Sequence, residues 1–170
     1  NYAYGERYRV GIELEKEDSD VRHQLVSNGI HDLYYDTGWS IESDGSLCSY
    51  SGFEAVSPIL PLKIGELKKQ FSEKPFKDIV EADSTRSCGG HITISDTKRT
   101  PNEIVKDIGG YFPLIYALYR GRYGSHYCTP VSPKVVLEQP RKSRPAFNKR
   151  GTQKGDGLEI RYFDSPKNLN

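Results

Sequence analysis

The stretch RVGIELE, residues 9–15, places an apolar residue at every second position, and it is the part of the sequence that decides the fold. A period of two residues is typical of a β-strand that is buried on one side only. Val10, Ile12 and Leu14 would then face a core, and Glu13 and Glu15 would share the opposite face, about 7 Å apart. No cation stands beside either carboxylate on that face, so we expect their partner to come from elsewhere in the chain.

Three later segments have the same design: GFEAVSP (52–58), GGHITIS (89–95) and GLEIRYF (157–163). Each alternates between apolar residues and polar or ionisable ones, as a half-buried strand does. Residues 38–47 (GWSIESDGSL) predict one further strand ahead of a Gly/Ser-rich connection. The ionisable residues of the three segments that share the design are Glu54, His91, Glu159 and Arg161.

Helices are predicted between these strands. Residues 19–28, followed by Gly29, and residues 62–71, with apolar residues near helical spacing, are two candidates. TPNE (100–103) is a helix start, because Thr100 can cap it, Pro101 takes the first helical position and Glu103 completes a capping box. An apolar face then continues, with a break expected at Gly109–Gly110 or Pro113, through Ile104, Ile108, Leu114, Ile115 and Leu118.

The order of these elements predicts an α+β fold in a single domain, residues 1–170. Strands are not separated regularly by helices, which favours an antiparallel sheet with helices packed on its apolar face. Residues 140–156 are rich in Lys, Arg, Gly and Pro and predict a mobile basic loop. A length of 170 residues is enough to bury one substantial core.

Composition excludes several classes of protein. A net charge of +1 gives no general attraction to nucleic acid or to membranes, and apolar runs such as FPLI are far too short to cross a bilayer. No signal peptide or lipidation motif is evident. Three cysteines do not make a disulfide framework, which fits a reducing compartment. We therefore expect a soluble cytoplasmic protein without a membrane partner.

The polar sides of the strands predict a cation site if they lie on one sheet face. Four carboxylates gathered closely would push each other toward protonation, and a divalent cation removes that conflict. Oxygen ligands with one imidazole suit Mg²⁺ or Mn²⁺ better than Zn²⁺, and such sites leave positions for substrate phosphates. The nearby glycines that permit close approach are Gly11, Gly52, Gly89 and Gly90. The proposed ligands are Glu13, Glu15, Glu54, His91 and Glu159, and the cations available for phosphates are Arg120, Arg122, Lys149, Arg150 and Arg161.

Four motifs in order resemble the amidoligase family: VGIELE (10–15), DGSL with GFEAVSPIL (44–60), CGGHITIS (88–95) and LEIRYFDSP (158–166). This family belongs to the carboxylate–amine ligases related to glutamine synthetase and glutamate–cysteine ligase. The resemblance implies a curved antiparallel sheet of the glutamine synthetase catalytic-domain type. Its helices would pack on the convex face, and its concave face would bind ATP and divalent metal.

The resemblance also implies a reaction and a role for each matched residue. A carboxylate would be activated as an acyl phosphate and then attacked by an amine, so the partners would be small-molecule or peptide acids and amines. Metal would be held by Glu13, Glu15, Glu54 and Glu159, with His91 at the metal or the ATP phosphates. Arg161 would neutralise the transferring phosphoryl group, with Arg120 or Arg122 adding to it. The loop at 140–156 would shield the acyl phosphate from water.

Rival interpretations remain open from sequence alone. Each carboxylate, taken singly, could lie on an ordinary solvent-exposed strand face. Asp44 and Ser46 could contact metal or substrate, or simply form a turn. The non-enzymatic alternatives are a catalytically degenerate ligase fold that serves as a scaffold, and a basic segment, RKSRPAFNKRG (141–151), that binds nucleic acid or an acidic partner. Balanced overall charge argues against an extended nucleic-acid surface.

The cysteines give a third class of alternative. Cys88 precedes His91 by three residues and His126 precedes Cys128 by two, so these four could form a mixed zinc site. Cys88 could instead be a nucleophile with His91 or His126 as its base, which would make the protein a hydrolase or transferase. A buried structural cysteine is the third possibility for Cys88.

Overall fold

The structure, a computed structural model, describes residues 5–27, 38–43, 47, 51–72, 76–138 and 144–166, and its centre is an open antiparallel sheet. Within these ranges the sheet has seven strands in the order β2-β3-β1-β5-β7-β6, and β4 pairs separately with β1. The strands are β1 (Tyr8–Glu17), β2 (Ser40–Glu42), β3 (Gly52–Val56), β4 (Leu60–Pro61), β5 (Gly89–Asp96), β6 (Phe147–Arg150) and β7 (Gly157–Asp164).

The helices lie between the strands, which gives the mixed α+β class that the sequence predicts. They are α1 (Ser19–Ser27), α2 (Ile64–Ser72), α3 (Phe76–Glu81), α4 (Pro101–Ile108), α5 (Phe112–Leu118) and α6 (Pro133–Glu138). Short 3-10 turns follow α4 and α5, at Gly109–Tyr111 and Arg120–Arg122. No helix in the described ranges is long and apolar enough to cross a bilayer.

The start of α4 follows the expected chemistry. The Thr100 hydroxyl accepts a hydrogen bond from the Glu103 backbone, and the Glu103 carboxylate accepts one from the Thr100 backbone, so the capping box is complete. The helix ends where the glycines predict. A Cβ on Gly109 would lie 2.7 Å from Cγ of Pro133, so close packing against α6 requires glycine there.

The core lies on the apolar face of the sheet, in two clusters. One gathers Val10, Ile12 and Leu14 of β1 with Ile79 and other residues of α3 and β3. The second gathers Leu158 and Tyr162 of β7 with α4, α5 and Phe147, whose ring stacks on Phe112 at a centroid distance of 3.5 Å. Helices therefore cover the apolar side of the sheet, and the opposite side of the four predicted strands carries the ionisable residues.

Two expectations from sequence are wrong in part. Residues 147–150 of the predicted basic loop form β6, an edge strand paired with β7; residues 140–143 lie outside the described part of the chain. The apolar face predicted to continue through α5 does not stay buried, because Leu114 and Leu118 are both exposed. The helix restarts after the Gly109–Tyr111 turn, which changes the side that faces the sheet.

Replacing Asp96 with asparagine tests an ion pair at the end of β5. Asp96 is buried and accepts hydrogen bonds from Nε and Nη2 of Arg7, at 3.1 and 3.0 Å, which hold the pKa of its carboxyl below the usual range. Because the pKa of Asp96 is lower in the folded state than in the unfolded state, its ion pair stabilises the protein above about pH 4. That stabilisation is lost as the pH falls through the folded-state pKa. We expect Asp96→Asn to cost about 2 kcal/mol of unfolding free energy at pH 7.

The measurement is urea unfolding of both proteins at pH 7 and pH 3. The difference between them should shrink at pH 3, and Glu66→Gln, at an exposed carboxylate of α2, should change little at either pH. An equal loss at both pH values would show that the Arg7–Asp96 ion pair is not its source.

Candidate functional site

The imidazole of His91 lies at the centre of a carboxylate cluster on the polar face of the sheet. Its Nδ1 is 3.0 Å from Oε2 of Glu13 and 3.9 Å from Oε1 of both Glu54 and Glu159. Its Nε2 is 3.5 Å from Oε1 of Glu15. The five ligands proposed from sequence therefore converge at one place. They are here named the carboxylate cluster: Glu13, Glu15, Glu54, His91 and Glu159.

Strand pairing explains why these residues meet. In the β1–β5 ladder Glu13 is the partner of His91, and in the β1–β3 ladder Glu15 is the partner of Glu54. Partners in a ladder point to the same face about 5 Å apart. Glu159 lies on β7. Its ladder partner on β5 is Thr93, which is two residues beyond His91 on that strand. Four strands thus deliver side chains to one patch of the sheet.

The backbone of Gly89 holds Glu15. Its N–H donates to Oε2 of Glu15 at 2.5 Å, and a Cβ on Gly89 would lie 2.8 Å from Nη2 of Arg122 and 3.3 Å from that same Oε2. Arg122 is buried, and its Nη1 donates to the carbonyl of Cys88 at 3.2 Å. The guanidinium of Arg122 is therefore a buried positive charge beside the Glu15 end of the cluster.

Glu159 is fully buried and is held from three sides. Asn148 Nδ2 donates to its Oε2 at 3.1 Å, Arg150 forms an ion pair with its Oε1, and Arg161 Nη1 lies 3.8 Å from its Oε2. Arg150 also reaches to 4.0 Å from Oε2 of Glu13, and 37% of its side chain is exposed. A buried carboxylate needs such partners, because an unpaired charge there costs several kcal/mol, on the order of 3 to 5.

Glu13 stays ionised over a wider pH range than an isolated glutamate. The hydrogen bond from His91 lowers the pKa of its carboxyl, opposed by burial, and the positive charges of Arg150 and Arg161 add to the lowering. An ionised carboxylate is the form that a divalent cation requires.

The donor atoms fit a divalent cation. One atom from each of Glu13, Glu54 and His91 lies within 4.8 Å of the other two, which is about the span of ligands around an ion with bonds of 2.0 to 2.4 Å. Two carboxylates and one imidazole suit Mg²⁺ or Mn²⁺. Glu15 and Glu159 lie against the same imidazole and carry other partners, so they are candidates for a wider coordination sphere.

Two of the cations proposed from sequence are not brought to the cluster. Lys149 follows the alternation of β6 to the helical side of the sheet, where its Nζ donates to Asn102 and to the carbonyl of Leu137, both at 2.9 Å. Arg120 is exposed in its 3-10 turn, and within the described residues it makes no ion pair with the cluster. Arg122, Arg150 and Arg161 do lie at the cluster. Asp44 and Ser46 are outside the described residues.

Asn148 is a site residue that sequence reasoning missed. A loop has no alternating faces, so the loop predicted for residues 140–156 did not separate Asn148 and Arg150 from Phe147 and Lys149. That four-residue alternation is the signal that could have placed Asn148 and Arg150 together beside Glu159.

The cysteines do not join a donor group in the described ranges. Burial raises the pKa of the Cys88 thiol, whose neighbours are the backbone N–H and hydroxyl of Thr85. Cys128 is buried with its Sγ directed at the carbonyl of Arg122, and His126 is exposed. Both ring nitrogens of His91 face carboxylates. This geometry therefore favours neither the mixed cysteine–histidine zinc site nor Cys88 as a nucleophile with His91 as its base.

The basic segment is mostly engaged within the protein where it is described. Phe147 is buried and stacked on Phe112, so it is not available to stack on a base. Arg144 lies over the ring of Tyr127, and Arg150 pairs with Glu159. These contacts do not favour a nucleic-acid surface on residues 144–150.

Comparisons with known proteins add no relative: the chain matches no protein-family model, and no curated protein is significantly similar to it in sequence. The resemblance carried by the four motifs and the geometry of the carboxylate cluster are therefore the two supports for a function.

Proposed function

We propose that this protein is an ATP-dependent carboxylate–amine ligase whose divalent cation is held by Glu13, Glu54 and His91. The observation that carries the proposal is the approach of these three donors to within 4.8 Å of one another, beside Arg150 and Arg161. The motif resemblance supplies the reaction class. It also implies that the sheet is curved like that of glutamine synthetase, with the cluster on the concave face and the helices on the convex face.

The proposed reaction has two steps. A carboxylate oxygen of the acid attacks the γ-phosphorus of ATP, ADP leaves, and an acyl phosphate is formed. The amine nitrogen then attacks the acyl carbon, inorganic phosphate leaves, and the proton from nitrogen passes to a base. Phosphoryl transfer depends mainly on positioning and charge neutralisation, and bound Mg²⁺ or Mn²⁺ supplies part of that neutralisation.

The residues of the site fit the remaining tasks. Arg161 and Arg150 lie beside Glu159 on the polar face, where guanidinium groups can pair with phosphate oxygens. Arg122 is buried at the other end of the cluster, beside Glu15. His91 and Glu54 complete the donor set with Glu13. Residues 147–150 belong to the sheet, so they are not part of a loop that shields the acyl phosphate from water.

Calorimetry with MnCl₂ and ATP tests the proposal. We expect wild-type protein to bind Mn²⁺ and, with Mn²⁺ present, ATP at submillimolar concentration. Glu13→Gln keeps the size of the side chain and removes the charge, and it should weaken Mn²⁺ binding at least tenfold. Glu103→Gln, at an exposed helix cap away from the cluster, is the matched control and should bind as wild type.

Hydroxylamine trapping tests the reaction class, since it converts an acyl phosphate to a hydroxamate. ADP and hydroxamate should appear together when a panel of amino acids and peptides is offered as the acid. Mn²⁺ and ATP binding without ADP formation from any acid would instead support the scaffold alternative, and absence of nucleotide binding at millimolar ATP would contradict the ligase proposal.

A further inference from the structure

Helix α5 is apolar on the side that faces solvent as well as on the side that faces the sheet. Phe112 and Tyr116 pack into the core beside β6 and β7. Tyr111, the last residue of the turn before α5, is 63% exposed, and Leu114 and Leu118 are 56% and 68% exposed. Residues spaced by three and four positions share one face of a helix, so these three form one row. It is here named the α5 stripe: Tyr111, Leu114 and Leu118.

Such a row is unusual on an exposed helix. Isolated apolar side chains on a protein surface need no explanation, but a contiguous exposed row marks a surface that binds something. A helix that is apolar all round is normally buried all round. Tyr123 follows shortly after the stripe and is 75% exposed, and tyrosine is enriched where proteins contact one another.

The formal charge of the segment that carries the α5 stripe has one sign. Residues 108–137 contain Arg120, Arg122 and Lys134 but no aspartate or glutamate. Arg122 is buried and donates to a backbone carbonyl, so its charge is directed into the protein. Arg120 and Lys134 are exposed, and neither forms an ion pair within the part of the chain that the structure describes.

These two exposed cations lie near opposite ends of the stripe. Arg120 comes two residues after Leu118, in the 3-10 turn that follows α5. Lys134 comes directly after Pro133, whose Cγ would lie 2.7 Å from a Cβ on Gly109, in the turn that precedes α5. An apolar row with an unpaired cation near each end is therefore presented to solvent.

The chemistry of this surface selects a protein helix that carries acidic residues. Apolar residues along one face of that helix would pack on the stripe, and carboxylates beside them would complement the cations. A second copy of this chain would instead bring like charges together across a two-fold interface. Nucleic-acid bases stack on aromatic planes, whereas the centre of the stripe is aliphatic. A helix of seven residues, about 10 Å long, offers little apolar surface to a membrane.

We propose that the α5 stripe, together with Arg120 and Lys134, is a docking surface for an acidic amphipathic helix of a partner protein. The apolar face of that helix packs along Leu114 and Leu118, and its carboxylates pair with the two cations. The interaction goes beyond the proposed ligase activity, because it requires neither metal nor nucleotide.

Fluorescence anisotropy with a labelled model peptide tests the proposal. The peptide has about 20 residues, enough to form a helix, with leucine on one face and glutamate and alanine elsewhere. It should bind the wild-type protein with a dissociation constant below about 100 µM. Leu118→Ser and Arg120→Glu should each weaken binding at least tenfold, and both should keep wild-type Mn²⁺ binding and thermal unfolding, since both side chains are exposed. Leu62→Ser, at a leucine that follows β4 and is 47% exposed, is the matched control and should bind the peptide as wild type.

Two further probes identify the occupant. A peptide with lysine in place of every glutamate should bind at least tenfold more weakly than the acidic one, and equal binding of the two would overturn the charge selection. Vesicles of phosphatidylserine should not bind in a way that depends on Leu118, and a dimer that Leu118→Ser dissociates should not form. Either of those results would assign the stripe to a membrane or to a second copy and overturn the proposal. So would the absence of peptide binding by wild type, or peptide binding that Leu118→Ser and Arg120→Glu both keep.

Discussion

Replacing Lys16 with alanine is expected to lower the free energy of unfolding by about 4 kcal/mol, the largest effect on stability that we predict for a single residue. Lys16 is fully buried on the apolar face of β1, the face of Ile12 and Leu14. Its Nζ donates to the carbonyls of Val80 and Ala82, at 2.8 and 3.1 Å, and to the carbonyl of Pro166.

Two losses add up in that substitution. Truncating the four-carbon stem leaves a cavity between β1 and the end of α3, and removing the ammonium leaves three carbonyls without this donor. The carbonyls of Val80 and Ala82 lie at the C-terminal end of α3, where a positive charge is also favoured by the helix dipole. Lys16 thus joins the first strand to α3 and to the segment that follows β7.

Chemical denaturation of three variants separates these contributions. Lys16→Met restores most of the volume without the donor, so it should recover about half of the loss. Lys68→Ala removes an exposed lysine from α2 and should change stability by no more than about 0.5 kcal/mol. Wild-type stability in Lys16→Met would mean that volume alone matters and that the three hydrogen bonds contribute nothing net.

Lys16 also shows where the sequence pattern stops being sufficient. The alternation Val10, Ile12, Leu14 continues to Lys16, so the pattern places a lysine at a core position. Periodicity states which face a residue occupies, but it does not state which distant carbonyls will meet it. Val80 and Pro166 are 64 and 150 residues away from Lys16, and only the tertiary fold brings them there.

The carboxylate cluster was predictable in its members but not in its geometry. Strand alternation put Glu13, Glu15, His91 and Glu159 on polar faces, which the structure bears out. The pairing of Glu13 with His91 and of Glu15 with Glu54 depends on strand order and register, and local sequence does not encode them uniquely. The position of Glu159 depends further on a register shift between Gly90 and Ile92.

There is a physical reason why the sequence of the edge strand β6 predicts a loop. Charged residues and nearby proline are common on edge strands because they discourage pairing with other chains, and the same composition is typical of loops. Residues 147–150 carry that composition, so the loop interpretation hid the alternation of Asn148 and Arg150 with Phe147 and Lys149. For the same reason Lys149 was predicted to meet phosphates on the polar side, whereas β6 places it on the apolar side of the sheet.

Two substitutions at the cluster are expected to move the stability of the metal-free protein in opposite directions while having the same effect on metal binding. His91 contacts four carboxylates, so His91→Gln should destabilise the metal-free protein by about 2 kcal/mol. Glu54→Gln removes one of four mutually repelling charges and should stabilise it by about 0.5 kcal/mol. Neither change alters the volume of the side chain greatly.

Manganese should raise the stability of wild type above that of Glu54→Gln, while His91→Gln stays the least stable of the three. A cation present at 100 times its dissociation constant adds about 2.7 kcal/mol to the stability of a protein with one intact site. Wild type should show this gain, and both variants should show almost none, because each has lost one of the three donors that lie within 4.8 Å. Thermal unfolding with EDTA and with rising MnCl₂ measures both effects in one series, and Glu66→Gln, at an exposed carboxylate on α2, serves as control. If Glu54→Gln gained as much stability from Mn²⁺ as wild type does, the cation would not be held by the Glu13, Glu54 and His91 donors, and the carboxylates would be held together by their protein partners alone.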